Sequence, residues 1–518
     1  MYTLVNKQQL HIENSSDLSL SFQHCYRSFG LLILCGLCLF FIAACSVGPD
    51  FVRPEAPTVS YYNRGGDPSE TVSVGGLSQR FEKGVGPVSN WWQLFNSTQL
   101  DSAVTRGLAN NFSLKAAQAS LRQSQDNLRA GAGIFYPQIN TGFGQSRQKY
   151  LPVATGGTAP ASIFNLTTLS VSASYALDVF GGQRRAVEAL SAQVDQQRAL
   201  TLGTYIMLSG NIVNTFIAQA AYQAEIGEVE GLIAMQKEQI SIAEKQFDSG
   251  VIRYVSILAL KNQLETLEAS LPSLQQKLSQ AEHLLATLEG KTTSEWQAQL
   301  VKLEELSLPR LLPLSFPSEL VRQRPDILAA EAQLHQASAG VGVATASLFP
   351  SFTLNASYGQ SSQVISNLLD SKSNVSAMGM NVVAPVFNGG TLRSRKQAAI
   401  DAYQQSYSSY RQTVLAAFAQ VADIVRALQH DAEEMQVETR ALETALLSLN
   451  LIQKNYQTGL VNYLQVLTAN GQYRQAKIGY LQAKAQQLQD TTALFVALGG
   501  GWSENAVENE ADHHNISK

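Results

Sequence analysis

"EKQFDSGVIRYVSILAL" occupies residues 244–260, and "QKNYQTGLVNYLQVLTA" occupies residues 453–469. Phe247, Gly250, Tyr254, Ile257 and Leu258 of the first fall on Tyr456, Gly459, Tyr463, Val466 and Leu467 of the second, at a constant offset of 209. Two near-copies this far apart in one chain signal an internal repeat, and the repeat sets the architecture. Further blocks match in the same order. "DVFGGQRRA" (178–186) matches "PVFNGGTLRSRKQA" (385–398), with Phe180 on Phe387. "FYPQINTGFGQS" (135–146) matches "LFPSFTLNASYGQS" (348–361), with Pro137 on Pro350. "NNFSLKAAQASL" (110–121) matches "RQRPDILAAEAQL" (322–334), with Asn111 on Arg324. The chain is a tandem duplication.

Each half reads helix, strand, strand, long helix, hairpin tip, helix. In "TTLSVSASYALDVF", Leu169, Val171, Ala173, Tyr175 and Leu177 alternate with Ser170, Ser172, Ser174 and Ala176. "PSFTLNASYG" and "SAMGMNVVAPVF" alternate in the same way, and "PQINTGFG" more weakly. Period two with one greasy and one wet face describes a half-buried strand. The four expected strands, about 137–150, 166–180, 350–362 and 376–387, are near the length that crosses a bilayer. The helical runs ahead of Gly250 and Gly459 hold roughly 65 residues each and would span ~100 Å if continuous. Leu442, Leu446, Leu449, Ile452 and Tyr456 form a helical stripe. Gln, Ser, Ala and Asn fill the spaces between, a pattern that a plain coiled coil shares. Gly250 and Gly459 stop the helices, as left-handed caps do, and the chain restarts within a few residues.

Four lipid-length strands leave two open edges. In lipid, every unpaired N–H and C=O costs several kcal/mol, so only a closed barrel is stable there. Barrels begin at about eight strands. The strands must therefore be shared between copies, which requires oligomerisation without fixing the copy number. The expected organisation is a leader over 1–44, with residues 1–26 a polar extension such as a misassigned start would give. A lipidated N-terminal segment follows over 45–95. The first repeat covers 96–310, the second 311–500 and a tail 501–518. The expected fold class is an α+β membrane protein, each protomer giving four strands to a shared barrel beside its long helical hairpins.

The leader ends in "LFFIAACSVGPDFVRP" (39–54). The apolar run Phe29–Ala44 is too short to span a membrane and suits the core of a signal peptide. Ile42-Ala43-Ala44-Cys45 resembles a bacterial lipobox, in which the cysteine is diacylated, becomes the new N-terminus and can be N-palmitoylated. A thiolate is the nucleophile that such lipid transfer needs. Two or three acyl chains anchor stably where one does not. By the same resemblance, Ser46 rather than Asp after the cysteine favours the outer membrane. All four cysteines lie within the first 45 of the 518 residues, so the rest of the chain uses neither disulfide nor thiolate metal site. Net charge is −4 and charged residues are 15%, which points away from nucleic acid. No nucleotide, zinc-protease or hydrolase motif occurs. The Gly-Gly pairs near Arg184 and Arg393 stand at equivalent repeat positions, where a sharp strand-to-helix turn needs glycine. No catalysis, cofactor or metal is expected beyond the covalent lipid.

"CSVGPDFVRP" (45–54), "WWQLFNSTQLDSAV" (91–104), "FPSELVRQRPDILAAEAQL" (316–334), "VFNGG" (386–390) and "YQTGLVNYLQVLTANGQYRQA" (456–476) together resemble the TolC-like outer membrane efflux proteins, in their lipoprotein (OprM/NodT-like) branch. The resemblance covers nearly all of the mature chain. It implies a homotrimer with a twelve-stranded outer membrane barrel continuous with a twelve-helix periplasmic tube. It also implies a periplasmic adaptor and an inner membrane RND-type pump as partners, with drugs or other toxic compounds as cargo. Residues 290–320, with Pro309, Pro313 and Pro317, would form a belt around the tube. Two other classes are a lipid-anchored periplasmic coiled-coil scaffold and a TolC-like duct for protein secretion. Lipid-length strands argue against the scaffold.

Some family members narrow the closed tip with a Leu, an Asp four residues on and an Arg three further, the charges forming an ionic lock. On "NYLQVLTANGQY" that pattern gives Leu464, Thr468 and Gly471, and the first repeat gives Val255, Ala259 and Asn262. The apolar member is kept and the charges are gone. The expectation is a tip held by Leu464, Val255 and packing, with Asp248, Arg253, Lys261 and Arg474 as possible substitute charges.

Overall fold

The computed structural model describes residues 46–74, 78–150, 160–298 and 301–501. The leader, Cys45 and the tail beyond Gly501 lie outside the described residues. The elements run β1 (Arg80–Lys83), α1 (Thr98–Asn110), α2 (Phe112–Ala132), β2 (Gln138–Tyr150), β3 (Ser162–Leu177), α3 (Gly182–Asp248) and α4 (Tyr254–Leu288). There follow β4 (Leu311–Leu314), α5 (Pro317–Gln323), α6 (Pro325–Ala346), β5 (Ser351–Ser362), β6 (Asn374–Val383), α7 (Thr391–Gln457) and α8 (Tyr463–Ala497). The duplication is plain in the elements. Helices α3 and α7 have 67 residues each, α4 and α8 have 35 each, and each pair begins and ends 209 residues apart. At about 1.5 Å per residue, α3 and α7 are each ~100 Å long.

The described chain divides into two compact units, 46–51 with 129–189 and 338–401, and 52–128 with 190–337 and 402–501. The first unit holds an antiparallel sheet in the order β2-β3-β5-β6. Residues paired across antiparallel strands share a face, so the register sorts the side chains. Ile139 pairs with Ala173 and Phe143 with Leu169; Val171 pairs with Tyr358 and Tyr175 with Leu354. Leu354 pairs with Met380 and Phe352 with Val382. Around these pairs that face is apolar, and toward Tyr150 it turns polar, where Gln145, Arg147 and Lys149 pair with Thr167, Asn165 and Ile163. The other pairs Asn140 with Ser172, Gly142 with Ser170, Ser174 with Asn355, and Thr353 with Asn381. Apart from Tyr150, Phe164, Leu166, Val375 and Val383 it is small and polar, and Ser174 Oγ donates to Asn355 Oδ1 at 3.0 Å.

Two strands differ from the sequence expectation. Strand β3 starts at Ser162 because Ser162–Asn165 pair with Arg147–Tyr150. It stops at Leu177 because Asp178 turns to the start of α3, accepting from the Gln183 N–H at 3.0 Å and the Arg184 N–H at 2.9 Å. Strand β6 ends at Val383 rather than near 387. Pro385 follows, and proline has no N–H for a ladder.

The second unit packs helices around one large core. Trp91, Phe95, Phe216, Leu312 and Phe495 are each at most 2% exposed within it, and Trp91 stacks on Phe495 at 5.2 Å between centroids. A two-stranded parallel sheet joins β1 to β4. Equivalent positions of the two repeats close each half onto itself. Asn111, between α1 and α2, donates from Nδ2 to the Leu288 carbonyl at the end of α4, at 3.0 Å. Arg324, between α5 and α6, donates from Nη1 to the Ala497 carbonyl at the end of α8, at 2.8 Å. The last carbonyls of a helix have no partner within it, and these side chains satisfy one in each repeat. Arg324 also reaches both carboxylate oxygens of Asp326, at 3.0 and 2.7 Å, and Gln420 Oε1 at 3.0 Å.

Candidate functional site

Among the described residues, no group of three or more His, Cys, Asp or Glu could hold a metal ion. The candidate site is instead two surfaces, the two-faced sheet and the helical tips.

At the tips, Gly250 and Gly459 have φ of 76° and 75°. The Val251 N–H donates to the Gln246 carbonyl and the Gly250 N–H to the Phe247 carbonyl, both at 2.8 Å. In the second repeat, the Leu460 N–H donates to Asn455 at 2.9 Å and the Gly459 N–H to Tyr456 at 3.0 Å. This double bond pattern closes a helix through one left-handed residue, for which glycine pays no Cβ penalty. An aromatic pair spans each turn, Phe247 with Tyr254 at 5.6 Å and Tyr456 with Tyr463 at 5.5 Å between centroids. Asn462 caps α8, its Oδ1 accepting from the Gln465 N–H at 3.1 Å, while its counterpart Arg253 makes no side-chain cap.

Val255 and Leu464 are the second residues of α4 and α8. Val255 is exposed and Leu464 half-buried. Thr468 is exposed, and its Oγ1 donates to the Leu464 carbonyl at 2.9 Å. Gly471 is half-buried, and a Cβ there would meet the Leu232 side chain at an ordinary 3.9 Å. The charges split into two groups. Lys261 pairs with Glu244 at 3.0 Å, and Lys237 with Glu268 at 2.8 Å, both within the first hairpin. Arg474 and Lys477 of α8 both reach Glu228 of α3, at 2.8 and 2.9 Å, and so tie the two repeats together. The bond to Glu228 holds the Lys477 ammonium above its ordinary value, and a bond to Glu238 does the same for the Tyr463 phenol. Among the described residues, Asp248 and Arg253 form no ion pair. Sequence reasoning missed Glu228, Glu238 and Lys477. Arg474 and Lys477 are legible as one helix face, but Glu228 lies 246 residues from Arg474 and carries no local signal.

Cys45 lies outside the described residues. The chain that follows it is fixed within the first unit. The Val47 N–H donates to the Phe180 carbonyl at 3.0 Å, and Asp50 pairs with the buried Arg185. Arg185 also binds Glu188 at 2.7 Å. Val47, two residues after the lipidation candidate, is thus held at the junction of β3 and α3.

The outer membrane efflux protein family matches residues 103–291 and 316–500. The chain is 30% identical over 424 residues to the pyoverdine export outer membrane protein OpmQ of Pseudomonas putida, covering 81% of this chain and 90% of that one. It is 25% identical over 477 residues to the "Probable outer membrane lipoprotein SilC" of Salmonella typhimurium, covering 92% of this chain and 100% of that one. Among solved structures, the outer-membrane channel OprN superposes with a TM-score of 0.77 at 26% identity, covering 88% of this chain and 100% of that one.

Proposed function

The chain belongs to the outer membrane efflux protein family, and on that premise we propose how its protomer builds a conduit. It is an outer membrane exit channel of a tripartite efflux system, reaches into the periplasm, and works with an adaptor and a pump. It is a transport protein and not an enzyme.

The observation that carries the finer reading is the four-stranded sheet with one apolar face, one small polar face and two unpaired edges, β2 and β6. Three copies joined edge to edge give a closed twelve-stranded barrel. The apolar face meets lipid, and the polar face lines a lumen wide enough for water and solutes. The long hairpins of three copies continue the lumen as a tube, and Gly250 and Gly459 mark the tips where the adaptor docks. Leu464 and Val255 narrow that end. The ion pairs at Glu228 brace the repeats against each other rather than standing in for the missing charges at Thr468 and Gly471. Cys45 carries diacylglycerol and an N-acyl chain, a reading supported by the lipoprotein name of one relative. The cargo is a small molecule delivered by an inner membrane pump of the RND type. The relatives' names include pyoverdine export, toluene efflux and cation efflux, so cargo choice resides in the pump.

Edge pairing is tested by cysteine pairs, one on β2 and one on β6, oxidised in outer membranes. A register that yields covalent trimers on denaturing gels is the expected result. Ladders that end at two copies, or no cross-link at any register, would overturn the trimeric barrel.

A further inference from the structure

We infer that Asp431 and Asp490 share one proton across the second long hairpin, forming a clasp between α7 and α8 that loosens when the proton is lost. Asp431 lies on α7 and is 8% exposed, and its Oδ2 has no hydrogen-bond partner in the protomer. Its side chain is within hydrogen-bonding reach of Asp490 on α8. Asp490 is already an acceptor, its Oδ2 taking the amide of Gln486 at 2.9 Å. Two ionised carboxylates cannot share a buried contact; one proton between them turns repulsion into a strong O–H···O bond.

The charged groups that act on Asp431 are Asp490 from α8 and Glu434 along α7, and none is basic. Burial first, then the bond and the negative charge of Asp490, push its carboxyl up to about 8. At neutral pH it is therefore protonated and can donate.

The first repeat provides an internal comparison. At the 209-residue offset, Asp431, Glu434, Gln486 and Asp490 correspond to Tyr222, Glu225, Lys277 and Ala281. There the carboxylate has a cation at hand. Burial raises the Glu225 carboxyl, and the bond from Gln482 and the charge of Lys277, which lies 5.9 Å over the Tyr222 ring, act against that rise. The second repeat has exchanged that lysine for glutamine and the alanine for a second acid. One hairpin is thus clasped by a proton and the other is not. The clasped hairpin is the one that bears Leu464. The clasp belongs to the protomer and stands whether or not the assembled protein conducts.

The chain has no cysteine after Cys45, so spin labels can be placed at will in the full-length protein. Glu443→Cys and Gln475→Cys put labels on exposed positions of α7 and α8, and Ala234→Cys with Thr266→Cys label the equivalent positions of the first hairpin. Label distances are read by double electron–electron resonance from about pH 6 to about pH 9.5. The second-hairpin distance should stay narrow at low pH and widen with a midpoint near pH 8, while the first-hairpin pair stays constant. Asp431→Asn, which can still donate to Asp490 but cannot ionise, should abolish the widening. Glu434→Gln should move the midpoint, because it removes one negative charge. A parent profile flat over the whole range would overturn the inference, as would the same widening in Asp431→Asn. Widening caused at neutral pH by a chelator would also overturn it, because a bound cation and not a proton would then bridge the acids.

Discussion

At the residue scale, the most informative position is Arg324. Its motif, Arg-Pro-Asp-Ile, is legible in the sequence as part of a family resemblance, but its work is not. The structure shows a guanidinium that closes α8 through the Ala497 carbonyl and is held flat by Asp326 and Gln420. Asn111 holds the same post in the other repeat with a shorter side chain: it donates one bond in place of four, while its Oδ1 accepts from the Ser113 and Leu114 N–H groups. Replacing Arg324 by Ala leaves a buried carbonyl unpartnered and should cost on the order of 3 kcal/mol. Thermal unfolding of the purified protein checks this, and Arg324→Lys should recover only part of the loss because an ammonium cannot fork. Asp431 gives a pH dependence of definite sign. Its folded value near 8 exceeds its ordinary 3.8, so between these limits the folded protein holds a proton that the unfolded chain lacks. The stability it contributes therefore falls as pH rises through that window and is lost above it. Asp431→Asn should match the parent in acid and melt at a higher temperature than the parent above about pH 8. At Cys45, substitution by Ser should abolish acyl labelling and leave the leader uncut, while the strands still insert. Equal palmitate incorporation by parent and variant would exclude that residue.

At the element scale, period two and period 3.6 carried most of the message. The alternation around Val171 and Tyr358 put Leu169, Val171, Tyr175, Leu354 and Tyr358 on one face, where the register finds them. The 209-residue offset of one glycine recurs in the bounds of four long helices. Strand ends were less legible, because Asp178 is drawn out of β3 by the free N–H groups of α3, a competition that alternation does not encode. The small sheet of β1 and β4 gave no signal at all: four residues such as Arg-Phe-Glu-Lys are too short to show a period. The bracing of α3 against α8 through Glu228 joins residues from different repeats and is invisible to any local pattern. At the tips, Gly459→Val forces a Cβ into a left-handed residue at a cost of roughly 1–2 kcal/mol. It should weaken coupling to the adaptor, read as lost export, more than it weakens oligomer formation on gels. Leu464→Ala should raise open probability in single-channel records. Acidification of the parent to about pH 5 should not, since no carboxylate stands at Thr468 or Gly471.

At the scale of the whole molecule, the two open edges of a two-faced sheet require closure, and the family supplies its context as an exit channel. A protomer that keeps its apolar face in lipid and its polar face on water becomes a pore only in company. The most direct measurement is ion conduction by the full-length protein, purified in detergent and added to planar lipid bilayers. The account predicts heat-resistant trimers that insert and give discrete conductance steps. A water-soluble monomer after removal of Cys45, with no steps from any preparation, would contradict it and leave a lipid-anchored scaffold in its place.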